Sequence, residues 1–138
     1  MKDYRLRKGK KKSGTSKYHS RKVIRDGIMF DSVKEANRWN ELCLLEMAGA
    51  ISELRRQVKY ILIPAQKEPD TKGPRGGVIK GKLIEREVCY ISDFTYIDKF
   101  GNVVVEDAKG YKGGQAYALF TIKRKLMLLN YGIKIKEV

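Results

Sequence analysis

A chain of 138 residues is the size of one domain, and folding hides roughly two thirds of the surface of such a chain, so no second domain is required. Its 30 lysines and arginines against 16 aspartates and glutamates give a formal charge of +14, which points to a polyanionic partner, above all nucleic acid. The longest apolar runs, such as Tyr60-Ile61-Leu62-Ile63, fall far short of the ~20 residues that cross a bilayer, and the basic N-terminal tail has no apolar face, which excludes a membrane partner. Cys43 and Cys89 lack CxxC spacing and paired histidines and no signal peptide precedes them, so both read as reduced core thiols of a cytoplasmic protein.

The charge is uneven: ten of the cations fall in the first 22 positions against Asp3 alone, leaving 20 cations and 15 acids for the rest. Residues 1–21 have no apolar periodicity and are expected to form a basic flexible arm, with Lys10, Lys11, Lys12 and Lys17 attracting phosphates in a salt-sensitive way. From Lys22 to Phe30, two short apolar segments around Asp26-Gly27 predict a tight hairpin. Ser32, with Glu35 three residues on, is a capping box that predicts a helix from about Val33 to Ala48, stopped by Gly49. A strand is expected from about Gln57 to Ile63, ahead of Pro64. Residues 66–82, with two of the three prolines and several glycines among charges, read as a long surface loop.

Two further strands are expected over Leu83–Tyr96 and Asn102–Lys109, joined by the turn at 98–101 as an antiparallel hairpin. A helix over about Ala116–Asn130 directs Leu119, Phe120, Leu126 and Met127 inward and carries Lys123, Arg124 and Lys125 at its edge. Gly132 ends it, and 133–136 alternates as a final strand. Helix, three strands, helix, strand implies an α/β domain, a central mixed sheet flanked by helices.

The segment Val103-Val104-Val105-Glu106-Asp107-Ala108-Lys109 is an apolar strand ending in an acid, one spacer and a lysine. Alternation puts Asp107 and Lys109 on one face, about 6–7 Å apart, with Glu106 opposite. Asp93 ends the comparable apolar run Val88–Ser92, so neighbouring strands can bring two carboxylates to one divalent cation, and oxygen donors with open positions suit Mg²⁺. Glu35 lies within about 40° of Leu42 and Trp39 on the helical wheel, inside the apolar stripe, where a carboxylate needs a reason. Each residue also has a plainer explanation. Glu35 is accounted for by the capping box, with Glu46 a rival acid on the same stripe; Asp93 by an edge strand facing water or a pair with Lys109; Asp107 and Lys109 by a solvated ion pair at a strand end. Lys123 and Lys125 suit a phosphate path or a merely solvated basic face. His19, the one histidine, stands in the arm without a partner.

In order and spacing these segments resemble the PD-(D/E)xK nucleases, the restriction-endonuclease-like superfamily, and within it small phage-encoded proteins related to Holliday-junction resolvases. The resemblance rests on Asp26–Ala36, Ile91–Tyr96, Val104–Gly110 and the basic last helix ending in Tyr131-Gly132, and spans roughly residues 17–138. It implies a restriction-endonuclease-like core over 22–138, with Glu35, Asp93 and Asp107 as acidic catalytic residues and Lys109 as the motif lysine. Asp93, Asp107, Glu35 and the Ala108 carbonyl would be the metal ligands, with Mg²⁺ as cofactor and Mn²⁺ as a substitute. It further implies a homodimer that cuts branched DNA, located in the host-cell cytoplasm if phage-encoded. Ser92 stands where the superfamily has proline, Asp107 takes a slot often held by Glu, and Gln57 occupies a strand position where some related nucleases carry a glutamine near the site. The competing functions are a non-catalytic basic nucleic-acid-binding protein and a partner-targeted recombination or transposition nuclease.

Overall fold

The computed structural model describes residues 21–138, so all of the expected arm but Arg21, including Lys10, Lys11, Lys12, Lys17 and His19, lies outside the described residues. The chain opens with a hairpin of β1 (Val23–Arg25) and β2 (Ile28–Phe30). Asp26 (φ 50°) and Gly27 (φ 75°) both take the left-handed backbone that a two-residue hairpin turn requires. Helix α1 (Val33–Met47) starts where Ser32 Oγ accepts the Glu35 backbone N–H at 3.1 Å, and the chain leaves it through Gly49 at φ 74°.

Next come β3 (Ile51–Arg56), β4 (Lys59–Ile63), β5 (Gln66–Lys67), β6 (Thr71–Lys72), β7 (Val78–Ile79), β8 (Leu83–Glu85), β9 (Val88–Ile91), β10 (Phe94–Asp98) and β11 (Val103–Asp107). Helix α2 (Gly114–Tyr131) follows, closed by Gly132 in the left-handed region, and β12 (Lys136–Glu137) ends the chain. The central sheet has the order β12-β11-β10-β3; β11 and β12 run parallel and the other pairs antiparallel, so the molecule is an α/β structure built on a mixed sheet.

The two helices cover opposite faces of the sheet. On one, Leu42 of α1 buries against Phe94, Tyr96 and Ile51, with Trp39, Leu54 and Val104 around them. On the other, Phe120 and Met127 of α2 pack with Val105, Tyr90, Leu62 and Ile135. Val104 and Val105 are consecutive on β11 and serve opposite cores, as strand alternation demands. Each fully buried Leu or Phe in these clusters contributes about 2–3 kcal/mol relative to exposure. Glu106 shares the Val104 face. It is wholly buried, and both its oxygens are held by Arg38 of α1, Nε at 2.7 Å and Nη2 at 2.8 Å, with Tyr96 and Lys136 also donating. That fork fixes α1 to the sheet.

Several expectations change. The stretch 66–82 is mostly exposed, as expected of a surface loop, but it is partly paired: β5 pairs with β8 and β6 with β7, which extends the β4–β9 pair into a long antiparallel ribbon. The strand expected from Gln57 begins at Lys59, because Gln57 (φ 49°) turns the chain between β3 and β4. The strand expected over 83–96 is broken at Ser92-Asp93, where the chain passes from the ribbon into the central sheet. Leu119 is 55 % exposed, since only Phe120 and Met127 of α2 face the core fully. The last strand forms at Lys136–Glu137, later than expected, where it can pair with Glu106 and Asp107.

Candidate functional site

An open cleft of about 770 Å³ lies where the first turns of both helices meet the end of β11. Glu35, Asp93, Asp107, Ala108 and Lys109 all line it, although they come from three separate stretches of the chain. The break between β9 and β10 places Asp93 beside β11, where its Oδ2 accepts the Ala108 N–H at 2.7 Å. Asp107 lies on the α2 face: Oδ2 accepts the Tyr90 hydroxyl at 2.9 Å and Oδ1 pairs with Lys109 Nζ at 2.9 Å. The expected same-face relation of Asp107 and Lys109 is therefore present, and the lysine pairs with Asp107 rather than Asp93. Its ammonium also sits 4.0 Å from the centre of the Phe120 ring, which fixes its direction.

Glu35 is 4 % exposed, which accounts for its place in the apolar stripe. Its Oε2 accepts the Asp31 N–H at 3.1 Å and its Oε1 lies 3.4 Å from Arg56 Nη2. Ser32 therefore caps the helix through the Glu35 N–H, while the Glu35 carboxylate accepts from Asp31, one residue before the cap, and lines the cleft. The rival, Glu46, is exposed and accepts the Leu54 N–H at 2.9 Å, away from the cleft.

Burial pushes the Asp93 carboxyl up from its ordinary 3.8 to about 7, reinforced by the negative charge of Asp107 and, more weakly, Glu35, and opposed by the Ala108 N–H. Asp93 and Asp107 line the same cleft, so the negative charge of Asp107 adds to burial in disfavouring the ionised Asp93 carboxylate. Burial and the neighbouring Asp107 charge raise the Tyr90 phenol, which stays protonated and donates. On the other face, burial alone would raise Glu106, but hydrogen bonds from Arg38, Tyr96 and Lys136 hold it down at about 2. Glu106 is thus a structural anion.

The three acids are not a closed cage. Among the described residues no group of three or more His, Cys, Asp or Glu is gathered tightly enough to hold an ion as it stands. Asp93 accepts the N–H of Ala108, the residue after Asp107, while Glu35 is engaged by the Asp31 N–H and Arg56. The N-terminus of α2 opens into the same cleft through Gly113, Gly114 and Gln115, with no side chain capping it, so its backbone N–H groups and helix dipole face the site.

Other expected residues fall elsewhere. Gln57 is exposed and does not line the cleft; it touches the site only through its N–H, which donates to the Asp93 carbonyl at 3.2 Å. Lys123 and Lys125 also lie outside the cleft, roughly 10 and 14 Å along α2 from Ala116. Sequence reasoning missed Tyr90 and Arg56. Tyr90 was visible only as an aromatic in a strand, and Arg56 gained meaning once β3 brought it over the Phe30 ring at 4.2 Å and beside Glu35. A second recess of about 400 Å³, lined by Lys34, Arg38 and Lys136, lies on the α1 side. Its cations are already engaged by Glu106 and the Lys109 carbonyl.

A family model described as a protein of unknown function, DUF1064, matches residues 15–137. The chain belongs to the DUF1064 family. No curated protein and no solved structure matches it. The match takes in every residue that lines the cleft. No helix of this DUF1064 protein, among the described residues, is long and apolar enough to cross a membrane.

Proposed function

We propose that this protein is a metal-dependent DNA endonuclease with a restriction-endonuclease-like core, hydrolysing phosphodiester bonds at the cleft. The observation that carries the reading is the meeting of Glu35, Asp93, Asp107 and Lys109 in one cleft, from a helix start, a strand break and a strand end. A binding protein has no use for acids at the point where a polyanion would approach. The donor chemistry fits a hard divalent cation: burial first, and then the charge of Asp107, lift the Asp93 pKa, and a cation beside the two carboxylates would offset both the lost hydration and the repulsion.

Asp93, Asp107 and the Ala108 carbonyl would hold Mg²⁺, or Mn²⁺ in its place. N–H and C=O of one extended residue point to the same edge, and the Ala108 N–H already points at Asp93. Glu35, tied to Asp31 and Arg56, would reach the ion through a water. When bound, such a cation polarises a phosphodiester and acidifies a water.

The chain's own groups do the rest. Lys109, held by Asp107 and the Phe120 ring, offers a fixed positive charge to the attacking water or to the charge developing on phosphorus. Tyr90 keeps Asp107 oriented. The open N-terminus of α2 presents N–H groups that suit the phosphate. Arg56 holds Glu35 in its rotamer. Preference for branched DNA follows from the resemblance, and symmetric cutting of two strands calls for two sites and hence a homodimer.

The test offers purified protein a linear duplex, a flap and a four-way junction, with Mg²⁺ and with EDTA. Cleavage only with Mg²⁺, greatest on the junction, is expected; binding without cleavage on all three, in Mg²⁺ and in Mn²⁺, overturns the reading and leaves a basic nucleic-acid-binding protein.

A further inference from the structure

The ribbon over residues 59–91 is the largest part of the molecule that the cleavage chemistry leaves without a role. Its three strand pairs are closed by a turn in which Gly73 N–H donates to Gly77 O at 2.7 Å and Gly76 takes φ 81°. Gly81 lets the two arms cross closely, since a Cβ there would lie 1.6 Å from the Glu68 carbonyl oxygen. From Ile63 to Arg86 every residue is exposed except Gly73 and Gly81, so this segment packs no core. About twelve residues separate β4 from the tip, a reach of at most about 40 Å at ~3.3 Å each. That is close to one turn of B-DNA, about 34–36 Å.

The charge on the ribbon is sorted along its length. Residues 71–82 hold Lys72, Arg75, Lys80 and Lys82 and no acid. Lys80 pairs with Asp70 at 3.1 Å, and among the described residues the other three have no carboxylate partner. The ribbon is also rooted in the cleft: β9 carries Tyr90, which donates to Asp107, and runs on to Asp93 two residues after its end.

We infer that this ribbon grips duplex DNA beside the cleft, with Lys72, Arg75 and Lys82 on phosphates within about one helical turn of the bond presented to Asp107. The inference deepens the endonuclease reading and rests on it for the position of that bond. The major groove of B-DNA, about 12 Å wide, admits a two-stranded ribbon, whereas the deep, narrow groove of A-form RNA does not. Val78, Ile79, Leu83 and Ile84 are exposed on the same ribbon and would suit a second copy of the chain, but two tips of like charge repel, while the phosphate backbone complements them.

The experiment measures binding of a fluorescent 30-base-pair duplex by anisotropy, in EDTA and without any nuclease readout, across about 50–200 mM salt. The triple variant Lys72→Glu, Arg75→Glu, Lys82→Glu is compared with wild type and with Lys99→Glu, whose charge change lies in the β10–β11 turn at the far end of β10 from Asp93. Each lost phosphate contact lowers the slope of log K against log salt by about 0.9, so the triple variant should lose about 2–3 units of slope and Lys99→Glu almost none. Matching circular-dichroism melts confirm that the variant is folded. A triple variant with the wild-type slope overturns the ribbon's role and leaves the endonuclease reading standing if wild type still cuts. The reduced slope together with no cutting by wild type supports the ribbon and sinks the nuclease alone. A dimer in sedimentation that Ile79→Asp dissolves, with DNA binding unchanged, assigns the ribbon to self-association and overturns the inference.

Discussion

Replacing Asp93 by Asn reports directly on the crowding of charge in the cleft. Asp93 has a folded pKa of about 7 against an ordinary 3.8, because it is buried beside Asp107. The folded chain therefore keeps a proton that the unfolded chain releases as pH rises above about 4. Stability contributed by this group is complete below pH 3.8, falls through the window up to about 7 and is flat above it. A shift of about three units at ~1.4 kcal/mol each sets the loss at about 4 kcal/mol. Asn removes the titration and retains an oxygen that can accept the Ala108 N–H. Urea unfolding followed by circular dichroism at pH 4, 5, 6, 7 and 8 should show the variant close to wild type at pH 4 and more stable by up to about 4 kcal/mol at pH 8. Adding Mg²⁺ at pH 8 should narrow that gap by stabilising wild type alone. A difference between the two proteins that does not change with pH refutes the claim that burial beside Asp107 keeps the Asp93 carboxyl protonated above its ordinary range.

Arg38→Ala leaves the buried Glu106 carboxylate without its two-point partner and should cost about 3–5 kcal/mol in the same unfolding assay. Because Glu106 is held at about 2 against an ordinary 4.5, its stabilisation is present above pH 4.5 and disappears as pH falls toward 2, so the Arg38→Ala deficit should shrink over that range. Ser32→Ala removes the α1 cap and should cost about 1 kcal/mol, and because the cap lies three residues before Glu35, cleavage should fall at temperatures where the protein is still fully folded by circular dichroism.

The parts of the fold set by local chemistry were legible in the sequence. Asp26-Gly27 specified its turn, Ser32 with Glu35 marked the start of α1, and the period of Val103–Asp107 put Glu106 and Asp107 on opposite faces. The shared lining of the cleft followed from the same reasoning, since Glu35 stands in the first turn of a capped helix, Asp93 follows one apolar strand and Asp107 ends another. What escaped depends on partners distant in the chain. The outer part of the ribbon, residues 66–82, is made largely of glycines, prolines and charges without a strand pattern, and its short strands exist because each arm supplies the other's backbone hydrogen bonds. The break at Ser92-Asp93 arises from a change of sheet, which periodicity does not report. Leu119 carries the same apolar signal as Phe120, and only the position of the sheet under α2 decides that it faces outward. Tyr90 and Arg56 became site residues through contacts 17 and 21 positions away in sequence.

The measurement that bears most directly on the cleft is the effect of Asp107→Ala on a single labelled four-way junction, scored for cleavage in Mg²⁺ and for binding in Ca²⁺. Asp107 takes part in the proposed cation site and in holding Lys109, so the variant should cut at least about a thousandfold more slowly, on the order of 4 kcal/mol of transition-state stabilisation, while binding changes by less than about threefold. Cutting at the wild-type rate, or a loss of binding as large as the loss of cutting, would contradict a hydrolytic role for the acids gathered there.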